Sequence, residues 1–419
     1  MRRIVAAYGV NQLGTWFGVV ALAVTVYDHT HNAAAVAAMF AAAQAIPGLF
    51  VPAAVAFLDG KGGRWLFALL YTLEAILTVL IIVFVAHFWL PAILVLAMAD
   101  GLIALSSRAL VRAAASRAGA SAAASSPVGD EEAAAIGTRR ANSMMNAALT
   151  ATVIVGPATA GVLVSVIGPT GALWIDTGSF LACAVALWGV SAAAAQRPAG
   201  SFGERLLEGW QYLREVEQLR RLLVCEFVAL IAFTSAIPVE VLYAKSSLHA
   251  GDRGYGFILA GWGVGLMIGT LTFTHWKRRP LAPLLTVGTL AIGCAYLGMA
   301  FSPTLLGACV AAVLGGAGNG VQWISLTSLA QELTPARLHG RLLGVVEAIS
   351  AIAQALAFPI GGAIAALTSP RIAMGTSGTL AVLMTVPFWR FARPTARARI
   401  AAPDASAPDV AERAPQLTS

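Results

Sequence analysis

A chain of 419 residues that is 58% hydrophobic and only 11% charged does not have the composition of soluble domains, which carry about 25% charged residues, and its solvent is expected to be a bilayer. The formal charge of +7 would suit a nucleic-acid surface only if the 27 Lys and Arg formed one patch, and they fall in alternate loops instead. Zinc-type His-Glu-x-x-His, Gly-x-Ser-x-Gly and phosphate-loop motifs are absent, so no enzyme, metal or organic cofactor is expected.

A helix crosses a bilayer with about 20 mostly apolar residues. Twelve such runs are predicted, near 5–27, 33–57, 64–86, 89–113, 142–166, 169–191, 221–244, 254–274, 281–301, 304–331, 341–367 and 371–391. The expected architecture is an all-α membrane protein of two six-helix bundles, 1–192 and 221–392. A mobile loop at 114–135, a central linker at 193–220 and a disordered tail at 393–419 complete it. Numbering the loops from the N-terminus leaves only Lys245, Arg253 and Arg371 on one side and the other 24 basic residues on the opposite side. By the positive-inside bias both termini are cytoplasmic, with the chain in the inner membrane. Cys183, Cys225, Cys294 and Cys309 all fall within spans and are expected as free thiols.

In chain order, span 1 carries Asn11, Thr15 and Gly18 on one stripe. Polar atoms at that depth must face protein or a water-filled cavity, so Asn11 and Thr15 are candidates for a substrate pocket. Span 2 holds Gln44 and Pro47, and the proline predicts a bend. The turn Asp59-Gly60-Lys61-Gly62-Gly63-Arg64 follows. It resembles the signature Gly-x-x-x-Asp-Arg-x-Gly-Arg-Arg of the major facilitator superfamily at Asp59, Gly62 and Arg64, while Val55, Gly60 and Gly63 depart from it. The resemblance implies twelve spans in two halves and a latch between this turn and helix 11 on the cytoplasmic side, so Asp59, Gly62, Arg64 and Arg341 are gating candidates.

Glu74 in span 3 and Asp100 in span 4 lie deep in apolar sequence. A charge at such depth costs about 2.5–3.5 kcal/mol on the insertion scale unless it is neutralised or paired. Arg108 follows Asp100 two turns on and on the same face, so Asp100 reads as a proton or substrate group or as one member of an ion pair. Arg139-Arg140-Ala141-Asn142 opens span 5, and Gly156-Pro157-Ala158-Thr159-Ala160-Gly161 closes it. This pairing resembles the bacterial branch that contains enterobactin and macrolide exporters, and Gly156, Pro157 and Gly161 resemble its antiporter motif, with Ala160 in place of one glycine. Small residues and a proline suit a rocking contact as well as ordinary packing. Asp176 in span 6 reads as a hydrated acid near the outer end.

The central segment Arg197–Arg221 has Leu206, Leu207, Trp210, Leu213, Val216 and Leu219 at spacings of three and four, the pattern of an amphipathic helix on a membrane surface. In the second half Glu226 reads as a partner of Arg220 and Arg221, and Pro238 lies near the outer end of span 7. Asn319, Gln322 and Trp323 share a face of span 10 and are pocket candidates. Glu347, Ser350 and Gln354 form a stripe on span 11 that reads as coupling machinery or as interhelical glue. A shift of 202 residues lays Arg139 on Arg341 and Pro157 on Pro359, the mark of a repeat.

These features together imply a secondary transporter, with spans 1, 4, 7 and 10 around a midplane pocket. The expected activity is proton-coupled export of an amphipathic small molecule such as a drug, macrolide or siderophore, driven by the proton motive force. Asp100, Arg108, Glu347 and Glu74 are the coupling candidates. Its partners are membrane lipid, substrate and protons, and a monomer is expected. A lipid flippase or nutrient importer on the same fold is the alternative, followed by a membrane sensor that transports nothing.

Overall fold

A computed structural model describes residues 1–59, 63–123, 130–191, 213–276, 279–335 and 339–392. Among them are eleven helices long and apolar enough to cross a membrane. One of these, Ile136–Ala186, has 51 residues, roughly twice what a bilayer requires. It is interrupted at Gly168 (φ 76°, ψ 166°), a conformation that glycine reaches without a Cβ penalty, and Pro169 starts the next helix. Counting it as two gives twelve spans.

The helices are α1 (Arg2–Thr30), α2 (residues 33–59), α3 (Leu66–Ala86), α4 (Leu90–Ala123), α5 (residues 130–167), α6 (residues 169–186), α7 (residues 217–247), α8 (Gly251–His275), α9 (Leu281–Phe301), α10 (Leu305–Glu332), α11 (His339–Leu367) and α12 (Pro370–Ala392). Asn32 caps α2 by accepting from the Ala34 amide at 2.8 Å. Within α2 the predicted bend takes the form of a π turn, Ala41–Ala45, just before Pro47. In α7 a 3₁₀ turn Ile237–Val239, a short α segment Glu240–Leu242 and a π turn Tyr243–Ser247 follow Thr234.

One expectation about the connections changes, and another falls outside the described residues. Residues 114–123 and 130–135 belong to α4 and α5, so the segment predicted as loop is mostly helix, and only 124–129 lie outside the described residues. Their Ala-rich composition, read as loop, is also good helix-forming composition. The amphipathic helix of the central linker falls almost wholly outside the described residues, as does the tail from 393. Leu213 is buried.

The two halves meet along seams that repeat the internal symmetry: α5 packs on α8, and α11 packs on α2. At the first seam a Cβ on Gly161 would lie 2.5 Å from the Gly256 Cα, so the backbones touch with nothing between them. At the second, Gly362 faces Ala37, and Phe40 and Phe358 meet with ring centroids 5.8 Å apart. The end of the bundle opposite Arg2 is also tied by charge. Lys245 of α7 lies 2.6 Å from Asp28 of α1 and 2.6 Å from Asp252 of α8, with its ammonium 5.9 Å from the Tyr27 ring centre. Arg253 donates to Ser165 across the same seam at 2.8 Å. Nearby, the Arg371 guanidinium donates to the carbonyls of Ala300 (2.9 Å), Ser302 (2.6 Å) and Ser247 (3.3 Å), stapling three connections of the second half together. Among the described residues, the cross-half ion pair and hydrogen bond both lie at this Lys245 end.

Candidate functional site: a buried cavity between the halves

A cavity of about 520 Å³ lies between the bundles, within the size range of small-molecule sites. Helices α1, α4, α7 and α10 all line it, as expected from the sequence, through Gln12 and Thr15, Asp100 and Arg108, Ile237 and Glu240, and Asn319. The other helices that reach it contribute chiefly apolar or aromatic surface, including Phe40, Ile81, Val153, Pro157, Leu173, Leu259 and Trp262. The ionisable carboxyl groups of the lining, Asp100, Asp176 and Glu240, stand against one guanidinium, Arg108, and neutral polar side chains such as Gln12, Gln44 and Asn319 complete the polar surface.

Each acid is placed by a local feature of its helix. Asp176 is 5% exposed and lies eight residues past the Gly168 break, about 12 Å down α6. Its carboxylate fits against α1 because Gly14 and Gly18 have no side chain there; a Cβ at either glycine would collide with it. The Ser179 hydroxyl donates to Asp176 Oδ1 at 3.5 Å. Glu240, also 5% exposed, is turned inward where Pro238 interrupts α7, and the Tyr296 hydroxyl of α9 lies against its carboxylate. Asp100 and Arg108 share the cavity wall without pairing, and Asp100 Oδ1 and Arg108 Nε have no hydrogen-bond partner. The helical rise explains this, since residues i and i+8 are about 12 Å apart.

The structure sorts the remaining candidates. Thr15 and Asn319 line the cavity. Asn11 is 1% exposed but outside the lining, as α1 turns it toward neighbouring helices. Gln322 is not a pocket residue: its side-chain amide donates to both Glu226 oxygens, at 2.9 and 2.8 Å, inside the second bundle. This also replaces the expected pairing of Glu226 with Arg220 and Arg221, which are exposed; Arg221 pairs instead with Glu217. Trp323 points outward from the bundle and is 40% exposed. Glu74 is fully buried outside the lining and accepts from the Ser107 hydroxyl at 2.8 Å, while its Oε2 is unpartnered. Glu347 is exposed on α11 and absent from the cavity lining, within electrostatic reach of Arg112 of α4.

Among the gating candidates, Gly62 and the side chains of Asp59 and Arg341 lie outside the described residues. Arg64 is exposed and lies over the Trp65 ring, 5.3 Å from its centre. Gly156 packs against Trp16, Pro157 lines the cavity and Gly161 touches Gly256, so this motif runs from the cavity to the seam between the halves. The four cysteines are unpaired.

Sequence reasoning passed over Glu240 and misplaced Asp176. For Glu240 the available signal was Pro238 two residues earlier, because Pro-interrupted helices mark binding sites in transporters. For Asp176 it was the pair Gly14 and Gly18 on α1, whose missing side chains make room for a neighbour.

Comparison with known proteins follows the same lines. The sequence model of a family described as transmembrane secretion effector matches residues 1–416. Among solved structures, the nucleoside transporter NupG has a TM-score of 0.74 at 11% identity, over 94% of this chain and 99% of that one. A bacterial homologue of the iron transporter ferroportin, in an inward-facing state, has a TM-score of 0.70 at 16% identity over 94% and 98%. The POT family transporter PepTSo reaches 0.67 at 11% identity over 94% and 97%. A search of curated proteins by sequence gave no match.

Proposed function

The chain belongs to the transmembrane secretion effector family and is a multi-pass membrane transporter of the major facilitator type, and on that footing we propose that it exports amphipathic small molecules in exchange for protons. The observation that carries this reading is the cavity itself: apolar walls, a volume suited to a drug-sized molecule, and buried carboxylates between two bundles joined by glycine seams. With the termini cytoplasmic, as the charge asymmetry implies for the inner membrane, the Lys245 end, where an ion pair and a hydrogen bond cross between the halves, faces outward.

In this mechanism the halves rock along the α5–α8 and α2–α11 seams. Asp100, whose Oδ1 has no competing partner in the protein, is the proton carrier. It gains a proton while the cavity faces out and releases it while the cavity faces in.

The test uses everted membrane vesicles from cells lacking their own pumps, and a substrate found by an efflux screen with and without a proton uncoupler. Asp100→Asn is expected to end substrate-driven proton movement while the purified protein still binds that substrate. Proton movement equal to wild type would remove Asp100 from the mechanism, and a substrate flux of opposite sign would make the protein an importer.

A further inference from the structure

The chemistry of the cavity wall narrows what can occupy it. Acidic groups outnumber basic ones: Asp100, Asp176 and Glu240 contribute three carboxyl groups against the single guanidinium of Arg108. Two acceptors remain unmet, Asp100 Oδ1 and the amide oxygen of Gln12, a side chain only 4% exposed. An acceptor buried without a donor is destabilising, so an occupant that brings N–H groups or positive charge is favoured over one that brings further acceptors. The wall contributed by the second half adds a geometric preference. Trp262 of α8 and Tyr296 of α9 lie with ring centroids 5.3 Å apart and planes tilted by 33°, and Tyr255 of α8 joins them in lining the space around Glu240. Aromatic faces attract cations through their quadrupole, most strongly where water is excluded, and an acid behind them adds a full charge.

We propose that this wall of α7, α8 and α9 is a recognition site for a lipophilic monocation, its positive charge held by Glu240 and its apolar body lying against Trp262, Tyr255 and Tyr296. The inference rests on the cavity being the transport site and adds the class of its cargo: amines and quaternary ammonium or phosphonium compounds rather than carboxylates or catecholates. Arg108 stands on α4, in the opposite bundle, and does not neutralise Glu240 by contact; its Nε is unpartnered.

The experiment compares two probes of nearly the same size and shape and opposite charge, tetraphenylphosphonium and tetraphenylborate. Their binding to purified protein in nanodiscs is measured by calorimetry against empty nanodiscs. The phosphonium is expected to bind more tightly than the borate by about tenfold or more, and Glu240→Gln should remove most of that preference. Because Glu240→Gln also disturbs the Tyr296 contact, Trp262→Leu provides a second variant: it should weaken the phosphonium about tenfold, with Trp262→Phe keeping most of the affinity. Absence of phosphonium binding to the wild type, borate bound equally well, or a charge preference untouched by Glu240→Gln would each overturn the proposal. Neither proton gradient nor transport enters this measurement. A protein that binds the cation but moves no protons in vesicles would keep this site and lose the exporter reading, and one that exports only anions would do the reverse.

Discussion

Breaking the bridge between Asp28 and Lys245 should open the Lys245 end by a predictable amount. Among the described residues this is the one ion pair between α1 and α7; the second carboxylate on Lys245, Asp252, belongs to the same half as the lysine. In Asp28→Ala the Lys245–Asp252 pair is retained and only the contact across the halves is lost. The Lys245 side chain is 16% exposed and that of Asp28 43%, so the bridge is screened and is worth about 0.5–1 kcal/mol. Such a loss multiplies the ratio of molecules open to molecules closed at that end by roughly two to five. His31 and His249 are exposed on the two sides of this end. Nitroxide labels on cysteines placed there, in a background without the native thiols, report the opening by electron–electron double resonance. The long-distance population should rise about two- to fivefold in Asp28→Ala and stay at the wild-type level in Asp252→Asn. An unchanged distribution in the first, or equal opening in both, would refute the assignment of this bridge as a latch.

Three further expectations concern packing. Gly161→Val places a branched side chain where backbones touch at the α5–α8 seam; it should cost about 1–3 kcal/mol and shift the same distance distribution toward the open form, and wild-type distances would show that the seam is not tight. Gln322→Leu strands the Glu226 carboxylate, lowering stability by about 1–3 kcal/mol in thermal melts, and the double variant with Glu226→Leu should recover most of it; a single variant as stable as wild type would mean that Glu226 finds another donor. Gly18→Val collides with the Asp176 carboxylate and should abolish transport, and adding Asp176→Ala should restore the melting temperature without restoring transport. Full transport by Gly18→Val would exclude a fixed position for Asp176.

What the sequence disclosed follows from how local the governing physics is. Span lengths and the Gly168-Pro169 break come from hydropathy and backbone chemistry within a few residues, so they were readable. Thr15 and Asn319 were also found, because a polar stripe on a buried helix has few destinations. Gln322 and Asn319 occupy the same span three residues apart, yet one meets Glu226 and the other the cavity. That difference depends on α10 rotation against α7, which no single-helix pattern encodes. Asp176 reads from the sequence as a hydrated outer-end acid because it lies only five residues past Gly171, whereas its surroundings are set by the two glycines of another helix. The long connection at 114–135 was misread for a different reason: Ala and Ser runs suit helix and loop alike, and continuation of α4 and α5 beyond the apolar stretch decides between them.

The Arg371 staple gives the rim at the Lys245 end an asymmetry with practical meaning. Because one guanidinium knits the ends of α7, α9 and α12 into a stiff plate, Lys245 and Asp252 travel with that plate as fixtures. Among the described residues, the first bundle offers this plate one carboxylate, Asp28 near the tip of α1, beside the Tyr27 ring and the Ser165 hydroxyl. Residue 28 is therefore expected to act as a set-screw: its identity should tune how readily the doorway swings, without touching the chamber that selects the cargo or the framework that holds it.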